Sequence, residues 1–537
     1  MAWTSQVFAQ SVQRLPQDSP RTPQPASRAL PLLIDRERFA EQAPPDAGAL
    51  TFRLTAVELI GNRTLPTSQF APMWAPLLGK EVTLAAMFDI AAQITAAYRR
   101  AGYILSQALV PAQEILQADG RVRIRVAEGF ISQVTLGADE VRGARLLAML
   151  TPIQWERPLT LTTLERHLLL VNDLPGVRSQ AALRAGQELN SAILDLQVQA
   201  DTEAFSFSVH NRTSEAVGPL RLEASAERRG LLGAFDRHGL RWVGSGNQLL
   251  NLLAYSGDAP LGSAGTQVSW SASTSRSRPK SGTIFQLDTD SRNASLAVSH
   301  PWLRARAANL TLRAALAGYD GKSEVGGGLQ LSEERLRPLR LGLAFDLADG
   351  WAGVNLLDVE VSRGLSALGA SRADDASLSR QGSNPQFTKT TLYAARLQSL
   401  GGEWSLLLAA TGQATRDLLG SSEQLGLGGE VFLRAYDPSE LLGDSGQAGK
   451  VELRRNFELG QVLAATLYAY YDAGTVKLRQ MDGSQTGQSA YATGLGIRLS
   501  GPRGTRGFVE AAKPGHKPTA RNGDEKVRIF AGLGIDF

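Results

Sequence analysis

The feature that most constrains this chain is a period of two. From Phe205 to Phe537 helical periodicity almost disappears, and apolar residues recur at every second position. Leu220, Leu222, Ala224 and Ala226 form one series; Val268, Trp270 and Ala272 form another. Leu310, Leu312 and Ala314 follow, then Leu339, Leu341, Leu343, Phe345 and Leu347. Between them stand Arg221, Glu223, Ser269, Ser271, Thr311, Arg313 and Arg340. Such alternation marks strands with one apolar and one polar face. Gly, Asn, Asp and Ser clusters punctuate them. At ~20 residues per strand and turn, the region holds roughly sixteen strands. So many strands must close or stack, and closure removes hydrogen-bonding edges.

The final segment, VRIFAGLGIDF, is the sharpest case. Val527, Ile529, Ala531, Leu533, Ile535 and Phe537 share one face; Arg528, Phe530, Gly532, Gly534 and Asp536 share the other. In outer-membrane barrels a last strand with an apolar face and a C-terminal aromatic is the cue for insertion, so Phe537 is the candidate insertion signal. The alternative is an amphipathic closing strand of a soluble β domain.

Composition is compatible with a membrane barrel. The chain is 43% hydrophobic and 20% charged, with no apolar run long enough for a spanning helix. Barrel strands need only ~10 alternating residues. Gly accounts for 54 of 537 residues, and Cys is absent. A chain that crosses an oxidising compartment avoids stray disulfides in this way. The net charge of +4 is small and evenly mixed, so nucleic acid is not an expected partner. The opening MAWTSQVFAQ has neither a basic n-region nor a clear h-region, so no complete signal peptide is evident.

Ahead of the alternating region the pattern differs. Residues 1–50 are rich in Pro, Gln, Ser and Ala and read as a linker, with room for a short helix at either end. Residues 51–130 and 131–204 read as two copies of one α/β unit. In the first, FRLTAVELIG alternates as a strand and LAAMFDIAAQITAAYRRAG is helical. Leu84, Phe88, Ala91, Ile94 and Tyr98 fall on one helix face, with Gly102 as the stop signal. YILSQALV and GRVRIRVAEG are the next expected strands. The second unit runs from ISQVTLG through LTLTTLERHLLLVNDLPG to SQAALRAG and SAILDLQVQA.

Four ordered stretches now carry a resemblance. They are YRRAGYILSQALVPAQEI with VAEGFI, LLLVNDLPGVRSQAALRAG, LGLGGEVFLRAYDPSELLGDSGQAGKVELR, and YYDAG. From Leu54 onward the chain resembles the transporters of bacterial two-partner secretion, the TpsB family of haemolysin- and adhesin-secreting barrels. The resemblance implies α+β periplasmic POTRA domains, followed by a transmembrane antiparallel β-barrel of about 16 strands. It implies a long inward-folded loop around 430–450 and an N-terminal helix that can plug the pore, for which Thr4 to Leu15 is the candidate. Arg434 matches the loop's motif arginine and Tyr436 its aromatic; Asp472 and Gly474 match the strand motif F-x-D-x-G. In the family, the loop arginine pairs with the strand aspartate.

The residues support that pairing independently. A guanidinium fork matches a carboxylate, and one such contact in a partly dehydrated pore can fix a hydrophilic loop. Asp472 must then face the lumen with Tyr468 and Tyr470, which the alternation allows. The alternative is two ordinary charges. One departure is Ala435, where the family motif has glycine: if that position needs positive φ, alanine costs about 1 kcal/mol or more.

The implied function is capture of an unfolded exoprotein by the POTRA domains and its export through the barrel. Candidate capture residues are Phe88, Tyr98, Tyr103, Leu105, Leu164 and Leu168. Expected partners are the secreted exoprotein, outer-membrane lipid and, during biogenesis, the barrel-assembly machinery. The location is a Gram-negative outer membrane, with the POTRA domains in the periplasm. No catalytic residue, metal or cofactor is expected. GDSG at Gly443–Gly446 has the look of a serine-protease nucleophile, but no histidine motif accompanies it. A passive porin is a rival that lacks preceding α/β modules. The barrel-assembly insertase is another; it carries more of them.

Overall fold

The computed structural model describes residues 32–34 and 43–537, apart from 138–139, 234, 246–247, 281–286, 327, 461 and 521–522. The possible plug helix at Thr4 to Leu15 lies outside the described residues. The chain divides into two compact units, one holding the α/β modules and the other the barrel.

In the α/β unit, β1 is Leu32–Ile34. The first module runs β2 (Thr51–Ile60), α1 (Thr67–Trp74), β3 (Glu81–Thr83), α2 (Leu84–Arg100), β4 (Gln107–Leu109) and β5 (Gly120–Ala127). Its sheet order is β3-β2-β5-β4, with β2 parallel to β5. Thr83 caps α2 by accepting from the Ala86 amide, and Gly102 beyond its end takes φ +94°. The second module repeats the plan with β6 (Phe130–Gly137), α3 (Glu140–Trp155), α4 (Leu161–Asn172), β7 (Val177–Ala185) and β8 (Ser191–Ala200). Here β6 is parallel to β8 and β7 antiparallel to it. The expected strand over 103–110 shrinks to β4, because Tyr103 and Leu105 lie in the turn after α2.

The buried face of α2 consists of Met87, Ile90, Ala91, Ile94, Ala97 and Tyr98. Leu84 and Phe88 sit at its edge, half-buried. Relative to the sequence reading, the core stripe is turned by about one position.

The second unit is a closed barrel. Its first strands are β9 (Glu203–His210), β10 (Arg221–Arg229), β11 (Arg237–Ser245), β12 (Leu250–Leu261), β13 (Thr266–Ser277), β14 (Leu287–Arg304) and β15 (Ala308–Val325). Next come β16 (Leu329–Leu336), β17 (Pro338–Ala348), β18 (Gly353–Gly364), β19 (Thr388–Gly401) and β20 (Trp404–Thr415). A small hairpin, β21 (Leu425–Leu427) and β22 (Leu441–Gly443), interrupts the wall. The barrel resumes with β23 (Ser445–Leu459), β24 (Leu463–Arg479), β25 (Gln485–Ser500), β26 (Arg506–Gly515) and β27 (Arg528–Asp536). Both β16 and β17 pair with β15, so they form one stave broken at Arg337, and the wall has 16 staves. Pro338, which has no amide proton, starts the second half. Closure is antiparallel, β27 on β9, with Gly532 opposite His210 and Asp536 opposite Ser206.

The burial pattern is that of a barrel in lipid. Leu296, Leu341, Leu467, Leu495 and Leu533 are exposed on the outer face. In β27 the alternation is as read: Ile529, Leu533 and Phe537 point out, and Arg528 and Phe530 are buried inside. Trp302, Trp351 and Trp404 are also exposed. They lie near the turns at the end where β9 begins and β27 finishes, as an aromatic girdle would.

Candidate functional site

The long β20–β23 connection spans 416–444 and turns into the barrel. It is shorter than the expected 430–450 loop at its far end, since Ser445 already opens β23. Its apolar side chains Leu425, Leu427, Phe432, Leu433, Ala435, Tyr436 and Leu441 are buried. They pack on Tyr393, Ala409, Ala448, Tyr468, Tyr470, Ala492, Ala512 and Phe530 from the wall. These wall residues alternate with the lipid-facing Leu392, Leu408, Val451, Leu467, Tyr471, Tyr491, Val509 and Ile529, so the contact surface is the lumen. The expectation of a hydrophilic loop held by one ionic contact is thus corrected. The loop carries an apolar core of its own, and each large side chain it buries contributes about 1.5–3 kcal/mol.

The tip begins at Gly428 and Gly429, with φ of +119° and +101°. A Cβ on Gly428 would lie 2.1 Å from the Asp437 carbonyl oxygen, so this turn requires glycine. Strain at Ala435 was expected if that position needed positive φ. The left-handed non-glycine residues of the described loop are instead Leu433, at φ +55°, and Ser439, at φ +56°, each costing about 1–2 kcal/mol. Ala435 has no positive φ; it is fully buried, and its carbonyl accepts a hydrogen bond from Arg528.

Arg434 is the centre of the tip. Its Nε donates to Asp472 Oδ2 at 2.9 Å and its Nη2 to Oδ1 at 3.0 Å, a two-pronged contact. Its backbone amide donates to the same carboxylate at 3.3 Å. Its Nη1 donates to Glu452 on β23, and its guanidinium lies 3.3 Å from the Tyr470 ring centroid. All of this is buried: Arg434 is 2% exposed and Asp472 0%. Both strand-motif residues have a physical reason. Asp472 faces the lumen beside Tyr468 and Tyr470. Gly474 admits the loop, for a Cβ there would meet Leu427 Cδ1 at 2.8 Å.

Tyr436 turns elsewhere. Its hydroxyl donates to the carbonyls of Gly515 and Lys517, at 3.0 and 2.7 Å, at the end of β26. Three further participants carry no motif. Glu452 also accepts from Arg454 and Arg498, at 2.7 and 3.0 Å. Glu510 accepts from the Tyr468 and Tyr470 hydroxyls and pairs with Arg212 at 2.7 Å. Arg528 donates to the Ala435 carbonyl at 2.7 Å and pairs with Asp437 at 2.5 Å. The available signal was a charged residue at an inward position of an alternating strand, as in VELR, FVEAA and VRIF. The loop's outer part is held as well. Arg380 reaches Asp444 and the Leu419 carbonyl, and Glu423 pairs with Arg340 and Lys389. In GDSG, Asp444 is therefore an anchor, and Ser445 donates to Thr415 at the start of β23.

The capture candidates divide. Tyr98 is wholly buried, stacked on Phe70 with its hydroxyl on Glu128. Leu164 and Leu168 are wholly buried on the inner face of α4. These three are core residues and offer nothing to a ligand. Phe88, Tyr103 and Leu105 are half-buried and keep accessible surface.

With the loop in place, the space beside it is a cavity of about 820 Å³, lined among others by Arg212, Arg221, Arg241, Glu223 and Arg498. That is the size of a small-molecule pocket.

A closed 16-stave barrel with an inward-folded, ion-paired loop and preceding α/β modules defines a class, the POTRA-bearing outer-membrane transporter. Comparison with known proteins gives the family. The model for haemolysin secretion/activation protein ShlB/FhaC/HecB matches residues 191–499, and that of the ShlB-type POTRA domain matches 52–129. The chain belongs to the ShlB/FhaC/HecB family. It is 25% identical over 487 residues to the heme/hemopexin transporter protein HuxB of Haemophilus influenzae, covering 87% of this chain and 84% of that one. It is 24% identical over 422 residues to the outer membrane transporter CdiB of Dickeya dadantii, covering 75% and 72%. The solved structure of CdiB from Escherichia coli superposes with a TM-score of 0.75 at 21% identity, covering 100% and 99%. The protein is an outer-membrane transporter of two-partner secretion: it exports an exoprotein through its barrel, with POTRA structure in the periplasm.

Proposed function

We propose that Arg434 latches the 416–444 loop in the resting barrel and that export requires this loop to leave the position seen here. The supporting observation is the buried two-pronged contact of Arg434 with Asp472, which holds the loop inside the lumen. A buried ion pair contributes little net stability, but removing one partner is costly, because the other charge is stranded. The latch is therefore strong against mutation and still reversible as a unit.

Residues 51–130 and 131–204 act as two POTRA domains, 205–537 as the barrel, and 1–50 as a leading segment. The shared order of the two modules supports this division. They capture the unfolded exoprotein by strand addition at their sheet edges, with Phe88, Tyr103 and Leu105 contributing in the first module. Membrane lipid covers the outward apolar band, and Phe537 at the end of β27 is the insertion signal read by the barrel-assembly machinery. Export is non-catalytic and uses no cofactor; folding of the exoprotein outside supplies its direction.

Arg434→Ala tests the latch. Export should fall at least tenfold, while the heat-modifiable barrel persists and channel-opening events become more frequent in planar bilayers. Unchanged export contradicts the reading. Deleting 51–204 should leave a conducting pore that exports nothing; continued export refutes the capture role.

A further inference from the structure

The outward face of a wall in lipid carries apolar side chains, as Leu296, Leu341 and Leu467 do here. One patch departs from that rule. Glu203 opens β9, Arg228 stands opposite it near the end of β10, and His238 stands opposite Arg228 near the start of β11. The row continues with Gly257 on β12 and Trp270 on β13. Beside it runs the row of Phe205, Ala226, Leu240 and Tyr255. Phe205, Leu240 and Tyr255 are exposed, and the two rows are two residues apart on each strand, so both face out of the barrel. The patch lies at the end where β9 begins, the end that also carries Trp302, Trp351 and Trp404. β9 follows the modules in the chain, so this end is periplasmic. Outward charges are costly at the bilayer midplane and tolerated near the interface, which puts Glu203 and Arg228 among the headgroups.

The side chains of the patch are fixed in place. Asp236 is 1% exposed and accepts from His238 Nε2 at 2.9 Å. A carboxylate only accepts, so the imidazole proton is on Nε2, and Nδ1 accepts from the Tyr255 hydroxyl at 2.7 Å. Trp270 Nε1 donates to that same hydroxyl at 3.4 Å. A Cβ at Gly257 would lie 2.4 Å from Trp270 Cε2, so the indole takes the space this glycine leaves. The His238 ring is 6.1 Å from that of Tyr255 and 5.8 Å from that of Trp270. Arg228 pairs with Glu203 through Nη1; its Nε and Nη2 have no hydrogen-bond partner among the described residues. A cavity of about 270 Å³ opens here, lined among others by Glu203, Phe205, Arg228, His238, Leu240 and Tyr255.

We propose that this cavity seats the headgroup of one phospholipid of the periplasmic leaflet, of the phosphoethanolamine type. The inference rests on the reading that lipid covers the outward band. The phosphate takes the unused guanidinium protons of Arg228, whose fork matches two phosphate oxygens. The ammonium donates to Glu203, and the Tyr255 ring beside it attracts the positive charge. Both signs of charge in the patch select a zwitterion. A purely anionic headgroup draws Arg228 away from Glu203 and gives that carboxylate nothing in exchange. A quaternary ammonium can rest on the ring but has no proton for Glu203. An acyl chain then runs over Phe205 and Leu240, about 7 Å nearer the midplane at two residues per step.

The test incubates the full chain in detergent with an equimolar mixture of phosphatidylethanolamine and phosphatidylglycerol carrying the same acyl chains. Native mass spectrometry then counts the lipid that stays bound. A single phosphatidylethanolamine should be retained, about threefold more often than phosphatidylglycerol, as suits partly exposed contacts. Arg228→Gln should lower that retention by about the same factor, and Glu203→Gln should bring the two lipids level. Both side chains are half exposed, and heat modification checks that each variant keeps its barrel. Equal retention of the two lipids by the unaltered chain overturns the site, as does a preference that survives both substitutions. Insertion into vesicles of the same mixture tests the outward band separately. A chain that fails to insert contradicts that reading, whereas one that inserts and prefers neither lipid contradicts the headgroup site alone.

Discussion

The barrel and the α/β unit solve burial in opposite ways. In the modules, apolar side chains such as Leu54, Ile94, Ile124 and Leu164 form the core, and charges such as Arg121, Arg123 and Arg184 stay at the surface. In the barrel, leucines face outward, and the buried interior holds Arg434, Asp472, Glu452, Glu510, Arg212 and Arg528. An interior of that kind is stable only while each charge has its partner. The modules are held by packing, which tolerates slow change. The lumen is held by pairing, which can be exchanged in one step, and a loop proposed to move needs that property.

The largest expected effect breaks the pairing. Arg434→Ala strands Asp472 and should cost the tip about 3–5 kcal/mol, seen as new protease cleavage within 416–444. A truncation in the modules is next: Leu164→Ala should cost about 2–5 kcal/mol of α/β-unit stability in denaturant melts and leave the barrel transition in place. A charge on the outer face, Leu467→Arg, should lower barrel stability by about 2–4 kcal/mol if that position sits near the bilayer midplane, whereas Leu467→Phe should be neutral. Gly474→Ala crowds Leu427 and should lower the midpoint of heat modification by a few degrees, for a cost of about 1 kcal/mol.

The smallest effect is a pH dependence confined to the second module. His167 is buried on the inner face of α4, and its Nδ1 finds no hydrogen-bond partner among the described residues. Burial pushes its imidazole below the ordinary value near 6.5. The unfolded chain then takes up a proton that the folded module refuses. Stability is therefore intact above pH 6.5 and declines as pH falls below it. His167→Leu should remove that decline in melts between pH 7 and pH 5.

Much of this was legible in the sequence, for reasons that differ by region. The period of two located the strands and the outward face of β27, because the lipid and lumen sides of a wall cannot be exchanged without inverting every residue. The motif residues Arg434 and Asp472 were legible because one geometry needs those two side chains. Less legible was the rest of the site. Glu452, Glu510 and Arg528 lie on three different strands, and only closure brings them together. The strain was placed at Ala435 by analogy with a glycine, yet backbone geometry puts it at Leu433 and Ser439. Tyr98, Leu164 and Leu168 were read as surface because a helical stripe does not reveal what covers it.

The central claim is that the loop leaves its place during export. The chain has no cysteine, so a single engineered pair can test this cleanly. Leu427→Cys with Gly474→Cys places one thiol on β21 and one on β24, at a point where the loop already touches the wall. Export of the exoprotein by this variant should stop when the pair is oxidised and return on addition of dithiothreitol. Export at the same rate in both states would contradict the account.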